Sequence, residues 1–278
     1  MQAIQSVLLQ DCTVKSRCRN TFFSLSKQSC MKILALETTD PIGSVAAMDD
    51  GKLLLGIDLH PQQRTAQSLP PGIKTLLEQV GWIPTDVQLV ATTIGPGSFT
   101  GLRIGVTMTK TFAYSVGAEV LGVNTLDTIA EAAPADVHVL TAVIDAQRGD
   151  VVSRSFTRGS DGWLIPAGNQ QLMPIDRWLR ELPAGTVVTG PVLTKLAPRL
   201  PPHVTILDQK YWTPRAAMVA RLADRQYAAG RRDDLWTLLP QYSRRSAAEE
   251  KWASKGRRTA DREQETNDRE NRRRKAEE

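Results

Sequence analysis

Cysteine is missing from most of this 278-residue chain: Cys12, Cys18 and Cys30 all fall within the first thirty positions. A disulfide framework or a thiol enzyme places cysteines inside the fold, so neither describes the rest of the sequence. Histidine is as scarce. His60, His138 and His203 stand far apart, and no His-Glu-x-x-His pair occurs. A zinc or iron hydrolase needs two or three such ligands converging, so the sequence argues against one. A Ser–His–Asp triad fares no better, because Ser98 lacks a nucleophile-elbow setting. No apolar run reaches the roughly 18 residues of a membrane span. Wholesale disorder is excluded in turn, since 41% of the residues are hydrophobic.

The net charge of +5 points to nucleic acid until it is divided along the chain. Residues 1–30 carry Lys15, Arg17, Arg19 and Lys27 against Asp11, a net +3. Residues 244–278 carry 12 basic and 9 acidic side chains, again +3. The stretch 31–243 between them holds 19 basic and 20 acidic groups, a net −1. Basicity therefore belongs to the ends. Residues 1–30 lack a secretory h-region and read as an extension outside the fold. Met31-Lys32 opens the first strand, so a translation start at Met31 is expected over a targeting role. Residues 244–278 have Trp252 as their one large apolar group and read as a charged, disordered tail. The rival reading gives that tail RNA contact around Arg272-Arg273-Arg274-Lys275.

From Met31 the pattern alternates. Strands are predicted over Lys32–Leu36, Gly43–Met48 and Lys52–Leu59, with a turn at Asp49-Asp50-Gly51. Leu69, Ile73, Leu76, Leu77 and Val80 recur at helical spacing. Pro70-Pro71 predicts that this helix starts near Pro71, because proline is tolerated in the first turn. A strand over Val87–Ile94, a mostly apolar helix over Leu102–Val116, a strand over Glu119–Val123 and a helix over Thr125–Ala132 follow. The order then restarts after Ala133-Pro134. Strands are predicted at Val137–Ile144, Val151–Phe156, Thr186–Thr189 and Val204–Leu207. Helices are predicted at Pro174–Leu182, Val192–Ala197 and Arg215–Ala229. A meander followed by α/β alternation, written twice, predicts duplicated α/β lobes over 31–133 and 134–243.

One loop carries most of the chemistry: Gly95-Pro96-Gly97-Ser98-Phe99-Thr100-Gly101-Leu102-Arg103-Ile104-Gly105. It lies between a strand and a helix, where unpaired N–H groups and the helix dipole favour an anion. Gly95, Gly97 and Gly101 permit close approach, while Ser98 and Thr100 add hydroxyls and Arg103 a positive charge. It is not a Walker A loop, since no Gly-Lys-Ser/Thr follows. A tight, capped strand-to-helix turn is the equally open structural reading. Thr38 and Thr39, in Glu37-Thr38-Thr39-Asp40 at the end of the first strand, form a second candidate phosphate contact. That tetrapeptide also suits an ordinary turn.

These residues resemble the TsaB (YeaZ) family, the non-catalytic partner subunits of the tRNA threonylcarbamoyladenosine enzyme. The resemblance rests on Ile33–Thr39, Leu69-Pro70, Gly95–Gly105, Gly122–Leu126, Ile144–Val151 and Pro240–Arg244, and it covers roughly 31–251. Glu37 departs from the family's aspartate, and Arg64 stands where the family has histidine. The resemblance implies an actin-like ATPase (ASKHA) fold of two ribonuclease-H-like lobes with mixed central sheets. It also implies a cytoplasmic subunit without catalytic or metal-binding residues of its own. Its partner would be a TsaD-like catalytic paralogue and, through that, a TsaE-like ATPase. The complex would act on N6 of adenosine 37 in tRNAs reading codons that start with A, with tRNA touched indirectly. ATP or ADP with Mg2+ would belong to the complex interface. The first two helices would meet the partner's pair as a four-helix bundle, or a second copy when the partner is absent. Leu69, Ile73, Leu76, Leu77, Met108, Thr109, Phe112 and Ala113 are the interface candidates on that reading.

Two rivals share the composition. A metallo-glycoprotease-like hydrolase lacks clustered ligands, as above. A stand-alone actin-fold kinase would need a second phosphate loop and a catalytic acid in the second lobe, where Gly190-Pro191 is the thin candidate.

Overall fold

Alternation of small and branched apolar residues sets the first layer of the computed structural model, which describes residues 31–244 of the chain. The expectations for residues 1–30 and for the tail beyond Arg244 lie outside the described residues. Strands β1 (Lys32–Glu37), β2 (Ser44–Asp49) and β3 (Lys52–Asp58) form an antiparallel meander. Strands β4 (Leu89–Gly95) and β5 (Glu119–Asn124) add in parallel, giving the order β3-β2-β1-β4-β5. The side-chain period of two sends Leu34, Leu36 and Val90 to one face and Ile33, Ala35 and Leu89 to the other. Helices α1 (Thr65–Val80) and α2 (Phe99–Val116) cover the first face.

The second sheet repeats this plan. Strands β6 (Val139–Asp145), β7 (Asp150–Arg158) and β8 (Leu164–Pro166) form the meander, and β10 (Val187–Thr189) and β11 (Thr205–Ile206) add in parallel. The order β11-β10-β6-β7-β8 is the first sheet's order read from the other edge. Both lobes therefore have the ribonuclease-H-like arrangement of mixed sheets, and their pairing is the actin-like ATPase fold. The third strand of this copy is broken: β9 (Gln171–Pro174) pairs with Asp150–Ser153 of β7 while β8 pairs with its far end. Neither piece was predicted from the sequence, because three or four residues carry no readable period.

Helices do not respect the division at residue 134. Helix α3 (Thr125–Glu131) precedes the second sheet in sequence yet buries Leu126, Ile129 and Ala130 against its Leu140, Val152 and Phe156. Helix α6 (Ala216–Ala228) follows that sheet but returns to the first, packing Val219, Ala220 and Ala223 on Ile33, Ala35 and Leu89. The boundaries 31–133 and 134–243 are corrected accordingly: apolar stripes, not chain order, choose the sheet. Helices α4 (Ile175–Glu181) and α5 (Leu193–Leu196) cover the remaining face with Trp178, Leu179 and Leu193. No helix among the described residues is long and apolar enough to cross a membrane.

Helix α1 also starts earlier than predicted, at Thr65 rather than near Pro71. Its first turn closes through Gln67 and Ser68 N–H groups donating to the Arg64 carbonyl. Pro70 and Pro71 remove two donors further along, whose i−4 acceptors would be Ala66 and Gln67. All four residues are exposed, so water serves the freed carbonyls, while Ser68 and Leu69 stay buried on the sheet.

Candidate functional site

The C-terminal end of β1 delivers Glu37 into the interior, fully buried. Its Oε1 accepts from the Thr39 backbone N–H at 2.7 Å, from the Thr39 hydroxyl, and from the Thr93 hydroxyl at 3.4 Å. Its Oε2 is buried without a partner. Burial pushes the Glu37 carboxyl up to about 7, against the pull of the Thr39 bonds. Asp40 beside it is raised to about 6, again by burial, with Arg215 opposing.

Beside this turn, β4 ends at Gly95, and Ser98 caps α2 by accepting from the Gly101 N–H at 3.2 Å. Thr38 reaches across to donate its hydroxyl to the Gly101 carbonyl at 2.8 Å. A Cβ on Gly101 would overlap the Thr38 carbonyl oxygen, and one on Gly97 would stand 2.7 Å from Thr39 Cβ. These two glycines serve contact between the loop and the β1 turn. Thr38, Thr39, Gly97, Ser98 and Gly101 are thus brought together, whereas Thr100 and Arg103 point outward. Arg103 lies with its guanidinium 4.0 Å from the Phe99 ring centre and donates Nε–H to the Tyr242 hydroxyl at 3.0 Å. Tyr242 in turn stacks on Phe99, the ring centres 4.5 Å apart. Gln241 donates its N–H to the Ile94 carbonyl at 2.6 Å.

Such a site does not fit a magnesium nucleotide. Glu37 is half-neutral near pH 7 and walled in, Arg103 is engaged by aromatic rings, and the Gly95 approach is covered by Gln241. Among the described residues no group of three His, Cys, Asp or Glu side chains is placed to hold a metal. His60 Nδ1 accepts from the Gln62 N–H, and His203 Nε2 bonds the Leu182 carbonyl.

The helix pair is more informative. Leu69, Leu76, Thr109 and Ala113 are fully buried, and Ile73 and Leu77 nearly so, all in the chain's own core. The side of α2 expected to be open at Ala113 is covered by its own sheet, so Leu69, Leu76, Thr109 and Ala113 are corrected from interface to core. Met108 and Phe112 are half-buried. Together with Ile73 and Leu77 they line an apolar groove of about 460 Å3 between α1 and α2, rimmed by Trp82 and Ile83. Ile83, 62% exposed, escaped the sequence reading because it sits alone in a connection without period.

Residues 60–199 match the family described as TsaD, tRNA N6-adenosine threonylcarbamoyltransferase. The chain is 27% identical to the tRNA threonylcarbamoyladenosine biosynthesis protein TsaB of Bacillus subtilis, across 80% of this chain and 98% of that protein. The structure of YeaZ from Pseudomonas aeruginosa superposes with a TM-score of 0.68 at 27% identity, over 76% of this chain and 99% of that one. The chain belongs to the TsaB/YeaZ family. A further member, TsaB of Escherichia coli, is 36% identical, and there the match spans 48% of this chain and 58% of the relative.

Proposed function

We propose that this chain is a non-catalytic subunit in the biosynthesis of threonylcarbamoyladenosine at position 37 of tRNAs reading codons that start with A. It works in the cytoplasm by binding a TsaD-like catalytic paralogue and, through it, a TsaE-like ATPase, and it meets tRNA only through that complex. The observation that carries this reading is the open groove between α1 and α2, lined by Ile73, Leu77, Met108 and Phe112. Apolar clefts left open on a folded surface mark sites of association. On α2 the exposed residues Thr107, Thr111 and Ser115 are small, so a partner helix can come close there. The same face would pair two copies when the catalytic subunit is absent.

Phe112→Glu and Ile83→Glu test it. Each puts an unpaired charge into the contact, which costs several kcal/mol. Capture of a TsaD-like protein by the immobilised chain should fall at least about tenfold for both variants. Undiminished capture by both folded variants would move the interface elsewhere.

A further inference from the structure

The C-terminal end of β4 is where an open α/β sheet offers a ligand its crevice. Here that place is taken by the chain itself. Asp234 and Lys110 fix the approach: Asp234 accepts from the Trp236 and Thr237 N–H groups, and Lys110 donates to the Trp236 and Leu238 carbonyls. From there residues 240–244 run across the mouth of the Gly95–Gly105 loop. The Gln241 N–H takes the Ile94 carbonyl at 2.6 Å, the last acceptor before Gly95. Gly95, at φ +129°, lies so close beneath the Gln241 carbonyl that a Cβ there would overlap it. Tyr242 then covers Phe99 and holds the Arg103 guanidinium through its hydroxyl. Finally Arg244 pairs with Asp150, the first residue of β7 in the second lobe.

Four consecutive contacts thus use the backbone acceptor, the open glycine face and the one cation of the loop, then cross to the opposite lobe. An incoming phosphate would need that glycine face and that guanidinium. We infer that residues 240–244 are an internal occupant of the interlobe cleft, which keeps phosphate-bearing ligands out and ties the two lobes together. Being attached to the site, the strap competes at the high effective concentration of a tethered ligand. This inference stands apart from the partner-binding reading, since neither α1 nor the groove takes part.

The test compares binding of metal-free ATP, by calorimetry without Mg2+, among four proteins. These are the full chain, a chain ending at Arg244, a chain ending at Leu239, and the full chain carrying Tyr242→Ala with Arg244→Ala. Leu238 is buried in the core and is kept throughout. The full chain and the chain ending at Arg244 should bind weakly and alike. The two strap-deficient proteins should bind at least about tenfold tighter, as expected when a competing closed state holds most of the population. The point variant keeps the test open if the shortened chain does not fold. Equal binding by all four, or no gain in a strap-deficient protein with native circular dichroism, would overturn the inference.

Discussion

Glu37 makes stability depend on pH in a direction opposite to that of most carboxylates. Its carboxyl is raised from 4.5 to about 7 by burial, so the folded state holds a proton that the unfolded chain releases. The unfolded chain gains by ionising as pH climbs past 4.5, while the folded chain cannot follow until about 7. Stability should therefore fall across that window and level off above it. The displacement is large enough to take about 2–3 kcal/mol from stability between about pH 5 and about pH 8. Asp40, raised to about 6 by burial, adds to the same slope. Glu37→Gln removes the titration while keeping an acceptor for the Thr39 N–H. Urea unfolding of wild type and variant at the two pH values is the assay. The free-energy difference between them should shift by about 2–3 kcal/mol in favour of the variant on going to the higher pH. A difference that stays constant within about 0.5 kcal/mol would show that Glu37 ionises freely and that its environment has been misread.

Gly101→Ala should destabilise the chain by about 2–3 kcal/mol in thermal unfolding, because the new methyl meets the Thr38 backbone carbonyl, which cannot yield. A change in Tm within error would refute that close approach. Arg158 donates to the carbonyls of Ala133, Pro134, Val137 and Gly162, organising the connection between the two sheets. Arg158→Ala should cost about 2–3 kcal/mol, since it strips several half-buried carbonyls of a charged donor. Hydrogen exchange should also rise at residues 133–139, and unchanged exchange there would count against it.

The sequence made the repeat legible because the first meander, the first two strands of the second, and the longer helices that follow switch between periods of two and 3.6. Glycine spacing likewise marked the Gly95–Gly105 turn, although it could not say what approaches the glycines. Thr38 and Thr39 fill that space, and they are separated from the loop by some sixty residues. Partner-facing and core-facing residues of α1 and α2 were not separable either. An apolar residue at helical spacing reads the same whether the chain's own sheet or another protein covers it, so Leu69 and Ala113 passed for interface. The crossing of α3 and α6 to the other sheet has no local signature at all. Neither has the strap, whose contacts pair Gln241 with Ile94 and Arg244 with Asp150 over long separations. Such contacts follow from topology, which no window of the sequence contains.

The central claim, that this chain is required for the modification yet performs none of its chemistry, is tested most directly by reconstitution. The readout is incorporation of labelled threonine into tRNA at adenosine 37, with ATP, bicarbonate and a TsaD-like subunit, a TsaE-like ATPase and the enzyme that supplies threonylcarbamoyl-adenylate. Product should form when this chain is included, and fall to background when it is left out. It should fall as far when Phe112→Glu replaces the wild type. Full incorporation without this chain, or incorporation by this chain when the TsaD-like subunit is withheld, would contradict the account.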